Sequence, residues 1–63
     1  MKFWVARDRT GLWLYTTKPI FYHNRNEFDA ENGDTFYIDE DMFPEVTFEN
    51  SPQQVEIKLV NHG

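Results

Sequence analysis

The sequence predicts an all-β fold: a single small antiparallel sheet of four to five strands, strongly twisted or partly closed, with one short helical turn near residues 39–43. Three observations predict it. Lys2 to Arg7 and Leu12 to Thr17 are dense in aromatic and β-branched residues. Val55, Ile57 and Leu59 alternate with Glu56 and Lys58 at the two-residue period of a half-buried strand. Apolar residues nowhere recur in a sustained helical stripe. With 63 residues, residues 1–63 make one domain, because a chain of this size buries only roughly 60% of its extended surface and supports one small core. Eleven aromatic residues argue against disorder.

Taken in order, the first two strands form a hairpin. Asp8-Arg9-Thr10-Gly11 supplies an Asp that can bond its own backbone and a Gly suited to positive φ. The register then pairs Arg7 with Leu12, Val5 with Leu14 and Phe3 with Thr16. Trp4, Ala6, Trp13 and Tyr15 fall on the opposite face. Lys18-Pro19 breaks the pattern, and Ile20 to His23 reads as a short strand. The polar stretch Asn24 to Gly33 ends in the turn signal Asn32-Gly33, and Asp34 to Asp39 follows as a strand alternating Phe36 and Ile38 with Thr35 and Tyr37. Asp39-Glu40-Asp41-Met42-Phe43-Pro44 has acids first and Pro last, the order of a single helical turn. Val46 to Glu49 reads as an extended piece, Asn50-Ser51-Pro52 as a turn, and Val55 to Leu59 as the last strand. Val5, Leu14, Ile57 and Leu59 are the expected common core.

The charges are segregated. Met1 to Arg25 sums to +4, Asn26 to Glu56 carries ten acids and no base, and the whole chain stands at −5. In a one-domain chain this implies attraction across the fold first and an acidic docking surface, made of Asp39, Glu40, Asp41, Glu45 and Glu49, second. The chain has no cysteine, which removes disulfides, thiolate metal sites and a cysteine nucleophile. Its longest apolar runs fall short of the roughly 20 residues that cross a bilayer, and no secretory leader pattern opens it, so a cytoplasmic location without membrane contact is expected.

No catalytic or metal-binding motif emerges, and no cofactor is implied. The two histidines, His23 and His62, stand in no nucleophile–base pattern, and Ser51, the only serine, precedes Pro52 as turn chemistry alone requires. Asp29, Glu31 and Asp34 around Gly33 fail the EF-hand spacing, because Gly33 occupies a position that needs an oxygen ligand. The aromatic face of the hairpin, Trp4, Trp13 and Tyr15, offers two uses. Trp and Tyr are enriched at protein-binding hot spots. With Lys2, Arg7 and Arg9 nearby, the same face is also the kind of platform on which single-stranded bases stack, although the net charge of −5 opposes phosphate. The competing structural reading is that Met42, Phe43, Val46 and Phe48 fold over these rings and make them core.

The stretch Val5-Ala6-Arg7-Asp8-Arg9-Thr10-Gly11-Leu12-Trp13-Leu14-Tyr15 followed by Lys18-Pro19, together with Phe43 to Pro52 and Val55-Glu56-Ile57, resembles a set of short uncharacterised proteins of gut Bacteroidetes and their phages or mobile elements. The resemblance covers about half the chain. That set has no assigned activity, so the resemblance implies only context: a small accessory protein that binds a host or phage component. The sequence therefore points to a non-catalytic interaction module with a protein partner, monomeric or weakly dimeric. A single-stranded nucleic-acid binder is the alternative, and an orphan small enzyme the third reading.

Overall fold

The computed structural model describes residues 1–58, and six strands run through them: β1 (Lys2–Asp8), β2 (Gly11–Tyr15), β3 (Ile20–Tyr22), β4 (Glu27–Asp29), β5 (Thr35–Ile38) and β6 (Gln53–Glu56). Four of them form one antiparallel sheet in the order β5-β2-β1-β6, and β3 and β4 form a separate antiparallel pair. The all-β class stands, with no helix among the described residues. The expected single sheet is instead two sheets, and the larger is open rather than partly closed, with β5 and β6 as its edges.

The β1–β2 hairpin has a two-residue loop, Arg9-Thr10, and pairs Arg7 with Leu12, Val5 with Leu14, Ala6 with Trp13 and Trp4 with Tyr15. Asp8 accepts the amide of Thr10 at 2.8 Å, closing the turn as its sequence suggests. On one side of the sheet, Val5 and Leu12 are fully buried beneath Val46, and Leu14, Ile38, Phe43 and Val55 pack around them. The common core therefore includes Val5 and Leu14 as expected. Ile57 does not belong to it: the residue is 48% exposed. Its pairing partner is Met1, at the far end of β1 from the cover, where the two residues exchange backbone hydrogen bonds. Leu59 lies outside the described residues. The last strand also begins earlier than the apolar alternation suggests, at Gln53, because β1 offers its free edge to Gln53 opposite Val5.

The segment that covers this core is a series of turns. The helical turn expected at 39–43 is absent. Asp39 accepts the amide of Asp41 through its side chain at 2.9 Å and that of Met42 through its carbonyl at 3.0 Å, and Phe43 then takes a left-handed conformation, φ +49°. Val46 closes a second turn onto the Phe43 carbonyl across Pro44-Glu45. A third turn joins Phe48 to Ser51, where Thr47 and Asn50 bond each other's backbone amides reciprocally. Val46 to Glu49 is thus turn rather than extended strand.

Arg7 explains why a helix does not form. Its Nε donates to the Val46 carbonyl at 2.6 Å, and one terminal nitrogen reaches the carbonyls of Glu40 at 3.1 Å and of Met42 and Phe43 at 3.4 Å. Carbonyls that would accept helical amides converge on one cation instead. The Arg7 amide, beyond the end of β6, is taken by the Ser51 hydroxyl at 2.9 Å.

The other face of the sheet has a different cover. Phe43 and Val46 lie on the aliphatic side, so the expectation that Met42, Phe43, Val46 and Phe48 together fold over Trp4, Trp13 and Tyr15 fails for these two, while Phe48 joins the rings of the β3–β4 pair. The β3–β4 pair packs on this face at Asp8 and Tyr15, and β4 falls inside the stretch that reads as polar loop. Asp8, 8% exposed, accepts the Phe28 amide at 2.9 Å with its second carboxylate oxygen, and the Tyr15 hydroxyl donates to the Phe28 carbonyl at 3.3 Å. Phe21 and Phe28 cluster with Phe48, whose ring lies 5.5 Å and 6.2 Å from theirs.

Consecutive residues of a strand point to opposite faces, so Arg7 holds one cover and Asp8 the other. Arg7→Met should cost about 2–3 kcal/mol in urea unfolding, and Arg7→Lys should recover less than half of it, because an ammonium lacks the planar fork. Asp8→Asn should cost roughly 1–3 kcal/mol, because an amide offers one acceptor where two oxygens now receive donors. An unchanged midpoint in either Arg7→Met or Asp8→Asn contradicts this assignment.

Candidate functional site

The Asp8 side of the sheet carries a cleft of about 210 Å³ lined by Thr10, Trp13, Tyr15, Glu27, Phe28, Asp29 and Thr35. Tyr15 is its floor, 1% exposed. Glu27 and Asp29, two apart in β4, share one face of that strand and form the acidic side. Trp13 forms the aromatic side. Its indole Nε1 donates to the Thr10 hydroxyl at 2.8 Å, and that hydroxyl donates to Asp8 at 2.5 Å, so the ring is tied through one threonine to the buried carboxylate.

Trp13 also meets Tyr37, paired with it across β2 and β5, in an edge-to-face contact with ring centroids 5.0 Å apart. Gly11 makes room for this. A Cβ at that position would stand 2.5 Å from the Tyr37 ring, and Gly11 itself has φ +132°. Tyr37 remains 57% exposed and Trp13 half-buried, so the pair forms an aromatic ridge beside the cleft.

Two cations stand near the acidic side. Arg9 bonds Glu27 at 2.9 Å while its side chain stays 64% exposed, and Arg25 approaches Asp29 at 3.6 Å with its guanidinium 4.5 Å from the Tyr22 ring centroid. The expected attraction across the fold is therefore visible in Arg9–Glu27, whereas Arg7 engages carbonyls. Burial pushes the Tyr15 hydroxyl well above the usual tyrosine range, and the carboxylates of Asp8, Asp29 and Glu27 push it the same way.

The sequence-selected face is thus divided. Trp4 and Tyr15 are cross-strand partners and Trp13 lies on the same side, but only Trp13 opens onto the cleft with part of its ring accessible. Tyr15 is core, and Trp4 is half-buried with Lys18 5.3 Å from its ring centroid. Of the acidic candidates, Asp39, Glu40, Asp41, Glu45 and Glu49 are all exposed on the turns of the cover. Asp39 caps a turn, and the carbonyls of Glu40 and Glu45 serve Arg7 and Asn50. The carboxylates of the run form no ion pair among the described residues. His23 stands edge-on to Phe21, and among the described residues no group of three His, Asp or Glu side chains is placed to hold a metal ion.

Glu27, Asp29 and Tyr37 are the site residues the sequence reading misses. The aliphatic side adds another feature: its cover reaches only the Arg7 end, and beyond it Phe36, Leu14, Phe3, Val55 and Ile57 share a face by register, with Phe36 and Ile57 each about half exposed.

The raised Tyr15 pKa gives a pH dependence. The folded chain keeps the proton where the unfolded chain releases it, so the associated stability is complete below about pH 10, the ordinary tyrosine value, and falls as pH rises above it. Unfolding free energies of the wild type and Tyr15→Phe should therefore converge, or cross, above pH 10. A gap that stays constant to pH 11 contradicts this.

Comparison of the chain with protein-family models, with curated proteins and with solved structures returned no match.

Proposed function

We propose that this chain is a small non-catalytic interaction module whose partner contact is the Trp13 side of the sheet. The observation that supports it most is the cleft of about 210 Å³ opening beside the half-buried Trp13 and the exposed Tyr37 that packs against it. Trp and Tyr carry much of the energy at protein contacts, and a ring already fixed by hydrogen bonds loses little freedom on binding. Trp13 is fixed in this way through Thr10 and Asp8. Glu27 and Asp29 beside the rings favour a protein over a nucleic acid, since carboxylates repel a phosphate backbone. A host or phage protein fits the resemblance of the hairpin and of the Phe43 to Pro52 stretch.

A second reading rests on the partly covered aliphatic side. Phe36, Leu14, Phe3, Val55 and Ile57 make an apolar stripe that two copies can share, giving the weak homodimer.

The two readings separate in one experiment. Trp13→Ala with Tyr37→Ser should abolish capture of the partner while the domain remains folded and its sedimentation unchanged. Phe36→Ser with Ile57→Ser should leave capture intact and remove any concentration-dependent association. Loss of capture in the second pair and not the first would reverse the assignment of the faces.

A further inference from the structure

We infer that the cleft beside Trp13 receives an arginine side chain of the partner, held between the Trp13 indole and the carboxylates of Glu27 and Asp29. This rests on the Trp13 side being the contact face and names what that face recognises.

Three features converge on a guanidinium. The cleft combines an aromatic wall with two carboxylates on one strand face, and a planar cation can stack on the first while forking hydrogen bonds to the second. Its surroundings are electronegative: Asp8, nearly buried, has all its hydrogen bonds from neutral donors, namely the Thr10 amide and hydroxyl and the Phe28 amide. A buried carboxylate without a cationic partner projects its charge into the adjoining cleft. Burial raises the Tyr15 pKa most, and the nearby carboxylates of Asp8, Asp29 and Glu27 raise it further.

The third feature is that the chain already supplies the chemistry from its own turn. The Arg9 guanidinium bonds Glu27 at 2.9 Å and the Arg25 carbonyl at 3.4 Å, while the side chain remains 64% exposed. Lys18 stands against Trp4, and Arg25, 3.6 Å from Asp29, stands against Tyr22; among the described residues Trp13 has no such cationic neighbour. Arg9 is therefore a tethered competitor at the rim. An incoming arginine displaces it from Glu27 and gains the Trp13 wall that Arg9 does not use. Arginine is preferred to lysine because only the guanidinium stacks and forks at once.

The test is titration of the isotope-labelled protein with three capped tripeptides, acetyl-Gly-Arg-Gly-amide and its Lys and Phe counterparts, reading the Trp13 indole N–H and the Phe28 and Asp29 amides. The arginine peptide should produce saturable shifts at these groups and bind more tightly than the lysine peptide. Glu27→Gln and Asp29→Asn should each weaken it about five- to tenfold, the scale of one charge-assisted contact. Arg9→Ala should tighten it severalfold, the opposite sign to the loss of a simple supporting residue. Equal binding of the arginine and phenylalanine peptides, or weaker binding in Arg9→Ala, overturns the arginine assignment and leaves the contact face standing. If none of the three peptides perturbs the cleft, the arginine assignment falls, and the contact face stands or falls on capture by the Trp13→Ala, Tyr37→Ser variant.

Discussion

Two adjacent charged residues in the central hairpin determine how the rest of this small domain is arranged. Arg7 and Asp8 follow each other in β1, so the pleat sends them to opposite faces, and each is satisfied by backbone groups of a different cover. Neither pairs with the other. Arg7 donates to carbonyls of the turns between β5 and β6, and Asp8 accepts amides from the hairpin turn and from β4. A 63-residue chain without disulfides has little apolar area with which to hold irregular segments. A half-buried cation with several carbonyl acceptors, and a buried anion with several donors, fix such segments without requiring them to be helix or sheet.

The candidate site follows from the Asp8 half of this arrangement. One carboxylate orients Thr10 and through it Trp13, and its other oxygen places Phe28, which brings Glu27 and Asp29 of the same strand to the cleft. Wall and acidic side therefore depend on a single buried group, while the floor, Tyr15, is placed by the hairpin register. The Arg7 half has a different consequence. By drawing the turns over the Val5, Leu12 and Val46 cluster it covers one end of the aliphatic face and leaves Phe36 and Ile57 at the other end partly exposed.

The hairpin was legible in the sequence because alternation and turn chemistry agree there. Its register, its two faces and the Asp8 turn all follow from residues 2–17, and β5 follows from Thr35 to Ile38. The last strand was legible in the parity of Val55 but not in its extent, since Gln53 and Gln54 pair through their backbones and carry no apolar signal. Glu27-Phe28-Asp29 could not be recognised as a strand from three residues, two of them acids, because its support is the distant Asp8. The 39–43 segment is ambiguous in the sequence for a related reason. Leading acids and a closing proline suit a helical turn and a capped β-turn equally, and Arg7, more than thirty residues away, decides between them. The alternation puts Trp13 and Tyr15 on one face, and which of the two is core depends on where β3 and β4 dock.

The central claim is that Arg7 and Asp8 act on separate covers, and site-resolved amide hydrogen exchange under native conditions tests it most directly. In Arg7→Met, protection of the Met42 and Val46 amides, bonded to Asp39 and Phe43, should fall while that of Asn26 and Phe28 persists. In Asp8→Asn the pattern should invert, with Asn26 and Phe28 exposed to exchange and Met42 and Val46 still protected. Loss of protection in both segments in both variants would show that the covers form one unit and that the two residues do not divide the work between the faces.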